Sequence, residues 1–540
     1  MLAVSQPNVL IETSSFLLYL YLSIQGYIFL TAIPFYWAIP GTIPAVMLAS
    51  SRTNQPIHSK GALVAYLQFL GAAETVTGSK HLINTSDDAS GRNGLQVLID
   101  CGLFQGPKEW RLRNWEPTPV PATQIDAVIL THAHLDHCGW IPRLVKEGFR
   151  GKIYATPATI DLCHVVLPDS GHLQEEEARF HNKKGTSKHK PALPLYTLDE
   201  AENSLRNFEP VNFGETKQLN PNFSFRFVHA GHILGSAMVE VFHRHGGEDH
   251  KYLFTGDIGR VPDHVPTPGR VVIQGPESQE EAELLVMEST YGNRSHPHDD
   301  VRAPLAQLIT DTVKRGGSVV VPAFAVERTQ KFLFILKDLM ESGRIPRVPV
   351  FVDSPMAIKA VEICMKYTGD FNEEARRLVS AYGSPLTWQG FNFAIKQEDS
   401  KKINQVLYPC IIVSSSGMVT GGRVLHHLLH RLSDPRNLVI FIGFQAPGTR
   451  GAIIKSRADS VRIFSEEVPI RAQVAALEQF SDHADTSELL RWLRTFTKQP
   501  SSTYLVHGES NAAALLQKTL TSELGLNVRI ARWLEKVALT

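Results

Sequence analysis

An apolar run, Ala127-Val128-Ile129-Leu130, leads directly into Thr131-His132-Ala133-His134-Leu135-Asp136-His137. Three imidazoles and a carboxylate within six residues cannot all lie on one face of a helix or strand, so they must converge from a tight loop after a strand. Imidazole and carboxylate groups suit Zn²⁺, and a mixed set this crowded suits two ions better than one. The stretch therefore predicts a metal site at the end of a buried strand.

Further candidate ligands follow later apolar strands in the same way. His232 comes shortly after an alternating strand, Asp257 follows Tyr252-Leu253-Phe254, and His507 follows Tyr504-Leu505-Val506. The carboxyl ends of strands in an α/β sheet are where loops gather reactive groups. The repetition predicts that these three residues converge on the first loop.

Seven motifs in this order resemble those of the metallo-β-lactamase superfamily and its β-CASP branch. The superfamily motifs match Asp100, His132 to His137, His232 and Asp257, and the extra motifs of the branch match Glu288, His483 and His507. The branch includes RNase J and the nuclease subunit of the eukaryotic cleavage and polyadenylation specificity factor. The resemblance covers about residues 64 to 540 and implies an α/β fold, a four-layer αββα sandwich with an inserted α/β β-CASP cap.

The family pattern implies two Zn²⁺ per chain, held by two groups of ligands that share one carboxylate. The first group is His132, His134 and His232, the second is Asp136, His137 and His507, and the shared carboxylate is Asp257. Asp100 ends the predicted strand Gln96 to Ile99. It is expected to accept a hydrogen bond from a ligand imidazole and so to fix that ring's tautomer.

The same resemblance implies the reaction. A hydroxide that bridges the two ions would attack the scissile phosphate of RNA, as an endonuclease, a 5′-exonuclease or both. His483, oriented by Glu288, is the candidate acid that protonates the leaving ribose oxygen, and Asp136 belongs to the catalytic set as well as to the ligands.

RNA is favoured over DNA because histidine at 507 is similar to the RNA-processing members, whereas the DNA-repair members typically carry valine there. A thioester hydrolase of the glyoxalase II type would explain the ligands but leaves the cap and His483 without a role. A non-catalytic scaffold of an RNA-processing complex is the third alternative, and it is disfavoured because every ligand is present.

The chain divides into four parts in this interpretation. They are an apolar N-terminal extension at 1–62, a first part of the metallo-β-lactamase domain at 63–295, the β-CASP domain at 296–436, and a C-terminal part of the first domain at 437–540. Strands and helices alternate in the third part, which predicts a parallel sheet. Leu438 to Ile442 is expected to begin the return, and a helix from Ala158 is expected to be interrupted at Pro168.

Two loops of the cap are candidates for binding substrate phosphates. Arg328 lies at a strand-to-helix junction, where free backbone N–H groups attract anions. Hydroxyl and backbone N–H groups gather in a second turn, formed by Ser414, Ser415, Ser416 and Gly417. Both stretches resemble phosphate-binding loops of the family, and plain helix capping is the alternative for each.

Composition limits the other functions. Lysine plus arginine equal aspartate plus glutamate at 54 each in 540 residues, so RNA must be bound by a local groove and not by a general basic field. Five cysteines, odd in number and widely spaced, indicate reduced core residues in a cytoplasmic protein. The length implies two or three domains.

The N-terminal extension has two interpretations. Residues 16–37 are apolar and long enough to cross a bilayer, which would anchor the enzyme to a membrane with its catalytic part in the cytosol. Alternatively Met47 is the natural start, because the domain pattern begins only near Leu63. The sequence leaves the oligomeric state open, with a homodimer as one candidate.

Overall fold

The computed structural model describes residues 65–86, 94–187, 189–261, 273–297, 299–445 and 448–539, and two short strands nearer the N-terminus. Those strands, Ser23–Ile24 and Tyr27–Ile28, pair antiparallel within the unit Met1–Lys60. The rest of the predicted membrane segment at 16–37, and Met47, lie outside the described residues. Among the helices that the structure describes, none is both long and apolar enough to cross a bilayer.

The second unit, Gly61–Thr540, contains two seven-stranded sheets. The strands of the first sheet are, in spatial order, Lys536–Ala538, Tyr66–Phe69, His81–Asn84, Gln96–Ile99, Ala127–Ile129, Lys152–Ala155 and Phe208–Pro210. The last four run parallel, so their carboxyl ends meet at one edge. The histidine-rich stretch begins at that edge, directly after the strand Ala127–Ile129 and Leu130.

The second sheet delivers three more candidate residues to a shared edge. Its strands are, in spatial order, Val528–Ile530, Ser502–Val506, Leu284–Glu288, Glu248–Phe254, Ala237–His245, Phe223–His229 and Thr216–Asn220. The first four run parallel. Asp257, Glu288 and His507 therefore stand at or just beyond the carboxyl ends of neighbouring strands.

A continuous apolar core joins the two sheets, because their strands alternate between inward and outward side chains. In Phe223–His229, the three phenylalanines are buried, while Ser224 and Arg226 between them are half-exposed. Helices cover the outer faces: Ile141–Lys146, Pro157–Lys184 and Leu198–Ser204 on the first sheet, Thr486–Leu493 and Ser510–Leu524 on the second. The predicted four-layer αββα sandwich is confirmed.

The inserted cap has a six-stranded, wholly parallel sheet. Its strands are Phe391–Phe393, Val350–Asp353, Ile411–Ser414, Val319–Pro322, Leu438–Phe441 and Gln473–Ala476. Its helices are Arg302–Lys314, Arg328–Glu341, Pro355–Lys366, Glu373–Tyr382, Gln397–Ile403, Val424–Arg431 and Arg450–Lys455, and a hairpin, Ser460–Ile463 with Glu466–Pro469, follows. Strand and helix alternation gives a parallel sheet, as predicted.

Two local expectations differ from this structure. Leu438–Phe441 pairs with Val319–Pro322 inside the cap sheet and does not begin the return to the first domain. A short apolar strand has the same composition in either sheet, and only its pairing partner separates the two. Pro168 lies within the uninterrupted helix Pro157–Lys184. Burial of that helix against the first sheet outweighs the ~3 kcal/mol that an interior proline costs.

Candidate metal centre

The histidine-rich stretch changes direction sharply after its strand, which is why its side chains converge. His132 and His134 lie in the loop, and Asp136 and His137 lie in the single helical turn Leu135–Cys138. His132 and His137 are almost completely buried, so each ring nitrogen needs a partner. The loop thus presents four potential ligands from one short segment.

The first predicted ligand group has the dimensions of a zinc site. His134 Nδ1 lies 3.2 Å from the Nε2 atoms of both His132 and His232, and these two Nε2 atoms lie 3.5 and 3.6 Å from Asp257 Oδ2. Zinc bound at 2.0–2.1 Å by four ligands would separate neighbouring ligand atoms by about 3.3–3.4 Å. These four residues therefore fit one tetrahedral ion.

The second predicted group lies on the other side of Asp257. His507 Nε2 is 3.3 Å from both His137 Nε2 and Asp136 Oδ2, and His137 Nε2 is 3.3 Å from Asp257 Oδ1. That Oδ1 atom is buried and accepts no hydrogen bond of good geometry from the described residues, although ring nitrogens of His137 and His507 lie 3.3 Å away. A buried carboxylate with one oxygen toward each group is placed to be shared by two cations.

The protonation states of the first-group histidines and of two carboxylates favour cation binding. Burial lowers the pKa of His132 and His232 well below the usual value and that of His134 to about 4, so these rings are neutral and keep a lone pair. Burial disfavours ionised carboxylates, but the neighbouring histidines outweigh it. The pKa of Asp136 falls to about 2 and that of Asp257 also falls.

Asp100 fixes the orientation of one predicted ligand. Its Oδ2 lies 2.7 Å from His137 Nδ1, which leaves His137 Nε2 directed at the second group. The same carboxylate accepts hydrogen bonds from the backbone N–H and the hydroxyl of Thr131, at 2.8 and 2.9 Å. Asp100 has a φ of +61°, a strained value for a non-glycine residue, and these three hydrogen bonds hold it in place.

His483 lies beside the two groups but in neither of them. Its Nδ1 is 3.0 and 3.1 Å from the two oxygens of the fully buried Glu288, and its Nε2 is 3.9 Å from Asp257 Oδ2. Burial opposes the imidazolium form, but the Glu288 and Asp257 carboxylates prevail and raise the pKa of His483 to about 9. This ring can therefore carry a proton to the site near neutral pH.

Glu288 is also close enough to other ligands to hold a metal ion, a role that the sequence did not predict. Its carboxylate also gathers with Asp257 and His507 into a group with ligand atoms close enough for one ion. However, its Oε1 accepts the Ile258 N–H at 2.6 Å as well as facing His483. With those contacts, it is better placed to hold His483 than to bind a cation.

The cap loops meet the site through Arg328 and Asp482. Arg328 Nε donates to Asp482 Oδ2 at 3.1 Å, and its buried Nη1 has no acceptor among the described residues. A methyl group on Gly443 would come within 2.2 Å of that Nη1, so only glycine leaves it room. Arg328 thus offers an unpaired, buried donor near His483.

In the second cap loop, Ser414 to Gly417, the serine side chains face partly toward the protein interior. Ser414 is buried and donates to the backbone carbonyl of Asp353, Ser415 bonds Ser354, and Ser416 bonds Thr420. Each of these hydroxyls has a hydrogen-bond partner outside Ser414 to Gly417, so the turn is preorganised. Any anion would be held mainly by its backbone N–H groups.

The sequence did not single out Asp482, which organises this region. It is buried, and its carboxylate contacts Lys331 at 3.3 Å in addition to Arg328. Its backbone carbonyl lies 3.3 Å from His232 Nδ1, which directs His232 Nε2 toward the first group. Its place next to His483 in Ser-Asp-His-Ala-Asp was the available signal.

Three family models match the chain in consecutive stretches. The metallo-beta-lactamase superfamily matches residues 92–289, the Beta-Casp domain matches 329–454, and the Zn-dependent metallo-hydrolase RNA specificity domain matches 467–531. Together they include the residues of both predicted ligand groups and His483.

Known proteins resemble the chain over most of its length. Ribonuclease TTHA0252 of Thermus thermophilus is 38% identical over 86% of this chain and 98% of the relative. An RNase J-like protein of Methanocaldococcus jannaschii is 33% identical over 77% of this chain and 87% of that one. Transcription termination factor FttA of the same organism is 31% identical over 85% and 69%.

A solved structure shares the fold. It is a protein of unknown function from Enterococcus faecalis, with a TM-score of 0.50 and 13% sequence identity, and the match covers 88% of this chain and 100% of that one. At this identity the likeness concerns architecture alone.

Proposed function

We propose, on the premise that this chain belongs to the β-CASP family of the metallo-β-lactamase superfamily, that it is a zinc-dependent ribonuclease. One observation carries the proposal: His483 stands beside both ligand groups, belongs to neither, and is held by Glu288. A ribose alkoxide is a poor leaving group and needs a proton. A protonated histidine that belongs to neither ligand group meets that need.

The chain is a metal-dependent hydrolase by family, and we propose that it holds two zinc ions. Their ligands would be the first group with His132, His134 and His232, the second with Asp136, His137 and His507, and Asp257 shared. When bound, zinc would lower the pKa of water and neutralise charge on a phosphate oxygen. The distances between ligand atoms support this assignment.

The remaining roles belong to the chain's own side chains. His483 would give a proton to the leaving ribose oxygen. Glu288 would orient the His483 ring and stabilise its imidazolium form. The unpaired Nη1 of Arg328 would bind a phosphate oxygen, assisted by the turn at Ser414 to Gly417. Asp100 would keep His137 in its binding orientation.

RNA as the substrate is supported by the relatives named as ribonucleases and by the RNA specificity domain at 467–531. A small pocket near His483 adds to this support. Tyr291, Arg294, Phe444 and Lys455 are among the residues that line it. Aromatic rings and cations side by side suit the stacked bases and the phosphates of a single strand.

The thioester hydrolase and the scaffold remain the competing functions. A thiolate leaves without a proton, so a thioesterase gives His483 and its Glu288 partner nothing to do. A scaffold would not need a buried, complete ligand set, and all seven proposed ligands stand together here. Both alternatives fit fewer of the observed contacts.

The test is cleavage of RNA by purified, zinc-loaded protein, with end-labelled and internally labelled substrates compared. We expect cleavage that stops when a chelator is added and returns with zinc, and the two labels distinguish internal cuts from 5′ trimming. Absence of cleavage, together with hydrolysis of a glutathione thioester, would contradict the proposal and support the thioesterase. Binding of RNA without any cleavage would support the scaffold.

We also propose a cytoplasmic location, which is supported by five cysteines that are all buried and unbridged. The division into 1–62, 63–295, 296–436 and 437–540 remains our proposal for the domains. The boundary at 436 is the exception, because the strands Leu438–Phe441 and Gln473–Ala476 pair within the cap sheet.

A further inference from the structure

An exposed group of aromatic and basic side chains lies outside the metal centre and has no part in the proposed chemistry. It consists of Trp110, Arg111, Arg113, Trp115 and Trp533, and we call it the tryptophan–arginine surface. Trp115 and Trp533 are 50% and 40% exposed, which is unusual for the largest apolar side chain. Such clusters on a soluble protein commonly mark an interaction site.

The surface is an ordered stack. The Arg113 guanidinium lies between two indole rings, 4.2 Å from the centre of Trp110 and 3.9 Å from that of Trp533. Trp110 in turn stacks on the buried Phe104 at 6.4 Å and 12°. One face of Trp533 is therefore covered by Arg113, while Trp115 remains open to a partner.

Asn114 holds this segment rigidly. Its side-chain amide exchanges hydrogen bonds with the backbone N–H and carbonyl of Phe104, at 2.9 and 2.8 Å. Its own carbonyl accepts the Nε1–H of the buried Trp140 at 3.0 Å. Because Asn114 is buried between them, Arg113 and Trp115 are fixed on the outside, and a ligand would meet a preformed surface.

Backbone hydrogen bonds and strand pairing connect the segments that carry this surface to the metal centre. The segment that carries it leaves Asp100 through Cys101 and Leu103, whose N–H groups bond the carbonyls of His137 and Leu135. At its other end, Trp533 follows the strand Val528–Ile530, which lies parallel to Ser502–Val506. His507 follows that second strand, so Trp533 and the second ligand group share one edge of the sheet.

The local charge favours a polyanion. Segments 108–116 and 529–536 contain six basic and three acidic residues, in a chain with equal numbers of each. Aromatic rings that alternate with cations are the usual platform for single-stranded nucleic acid, because every base has a face to stack and every nucleotide a phosphate.

We propose that the tryptophan–arginine surface binds single-stranded RNA next to the cleavage site. Bases would stack on Trp115 and on the exposed part of Trp533, while Arg111 and its basic neighbours would contact phosphates. This inference rests on the proposed ribonuclease function, because it takes the strand in the metal centre to be RNA. It adds a surface on the first domain, on the side of the second ligand group.

The test compares Arg111→Ala/Trp115→Ala with wild type, both zinc-loaded. A matched control, Arg347→Ala/Tyr408→Ala, removes one exposed arginine and one exposed aromatic ring from the cap. Affinity would be measured by fluorescence anisotropy with a nuclease-resistant phosphorothioate RNA of about 16 nucleotides, the upper end of a single-strand site. Thermal unfolding checks that both variants are folded.

We expect the surface variant to bind at least about fivefold more weakly than wild type, the scale of one lost stacking contact. The slope of log affinity against log salt should fall by about 0.7, the share of one phosphate contact. The control should match wild type. Equal affinity of surface variant and wild type would overturn the inference, even if wild type cleaves RNA normally.

Sedimentation distinguishes RNA from a second copy of the chain as the partner of this surface. A variant that dissociates into smaller species yet binds RNA like wild type would also overturn the inference. Failure of the proposed function has a different signature, since wild type itself would then not cleave RNA. Weaker RNA binding by the surface variant supports the inference whether the enzyme cuts RNA internally or trims it from the 5′ end.

Discussion

Replacing His483 by alanine is expected to slow RNA cleavage by about 10²–10⁴-fold while metal binding is kept, since this is the usual scale of general-acid catalysis. The nearest proposed ligand oxygen, Asp257 Oδ2, is 3.9 Å from His483 Nε2, longer than the 3.2–3.6 Å separations measured within the two groups. The variant therefore loses a proton donor and no ligand. The rate loss corresponds to about 3–5 kcal/mol of transition-state stabilisation.

The assay is single-turnover cleavage of internally labelled RNA, with wild type and variant adjusted to equal zinc content by elemental analysis. RNA affinity is measured in parallel, because loss of binding would otherwise mimic loss of chemistry. We expect similar zinc and similar affinity, with the whole effect in the cleavage rate.

Glu288→Gln is the matched comparison, because glutamine keeps the shape and the bond from the Ile258 N–H. It removes the charge that holds the imidazolium, so we expect a smaller loss than for His483→Ala. Equal cleavage rates for wild type and His483→Ala would refute the role of His483. Loss of one zinc from His483→Ala would refute the assignment in another way, since the ring would then be a ligand.

Four further predictions concern the zinc content, the N-terminus and two buried charged residues. Purified protein should contain about two zinc ions per chain and His134→Ala fewer by elemental analysis, because His134 bonds both other imidazoles of its group. A chain starting at Met47 should fold and cleave RNA like the full chain, as assayed on the same substrate, and loss of folding would contradict this. Arg260→Met should lower the free energy of unfolding by about 3–5 kcal/mol in urea titrations, because it removes the guanidinium that pairs with the buried Glu488 carboxylate at 2.7 Å. Burial opposes the charged form of Asp353, but hydrogen bonds from His427, Ser400 and Arg423 outweigh it and lower the pKa of this carboxyl group. The stabilising contribution of Asp353 is therefore complete above pH ~4 and is lost as the pH falls through the lowered pKa. The difference in unfolding free energy between wild type and Asp353→Asn should shrink in acid.

Most of the metal centre could be predicted from sequence because its ligands follow short apolar strands. Such strands place their next residue at a sheet edge, and parallel strands place several at the same edge. His132, His232, Asp257 and His507 were found in this way, and they lie together in the structure. The order of motifs added His483 and Glu288, whose direct contact no spacing rule could supply.

The buried charges between the cap and the first domain were not predicted. Asp482 lies more than 150 residues along the chain from Lys331 and Arg328, which share one helix, and they meet only after the cap packs against the sandwich. In sequence, Asp482 and Lys331 have the appearance of ordinary surface residues, and Arg328 was expected to bind phosphate and not to pair with Asp482. The contact of Arg113 with both Trp110 and Trp533 was not predicted either, since the two tryptophans are more than four hundred residues apart.

The sequence by itself determined the α/β class, the sandwich with its inserted cap, and the residue types at the metal centre, because these depend on local periodicity and on the order of motifs. Only the tertiary structure decided which sheet received Leu438–Phe441, whether the helix continued through Pro168, and which oxygen of Asp257 faces which ligand group. The physical reason is that pairing, burial and ligand geometry are set by contacts between distant residues, and a local pattern contains only one partner of each contact.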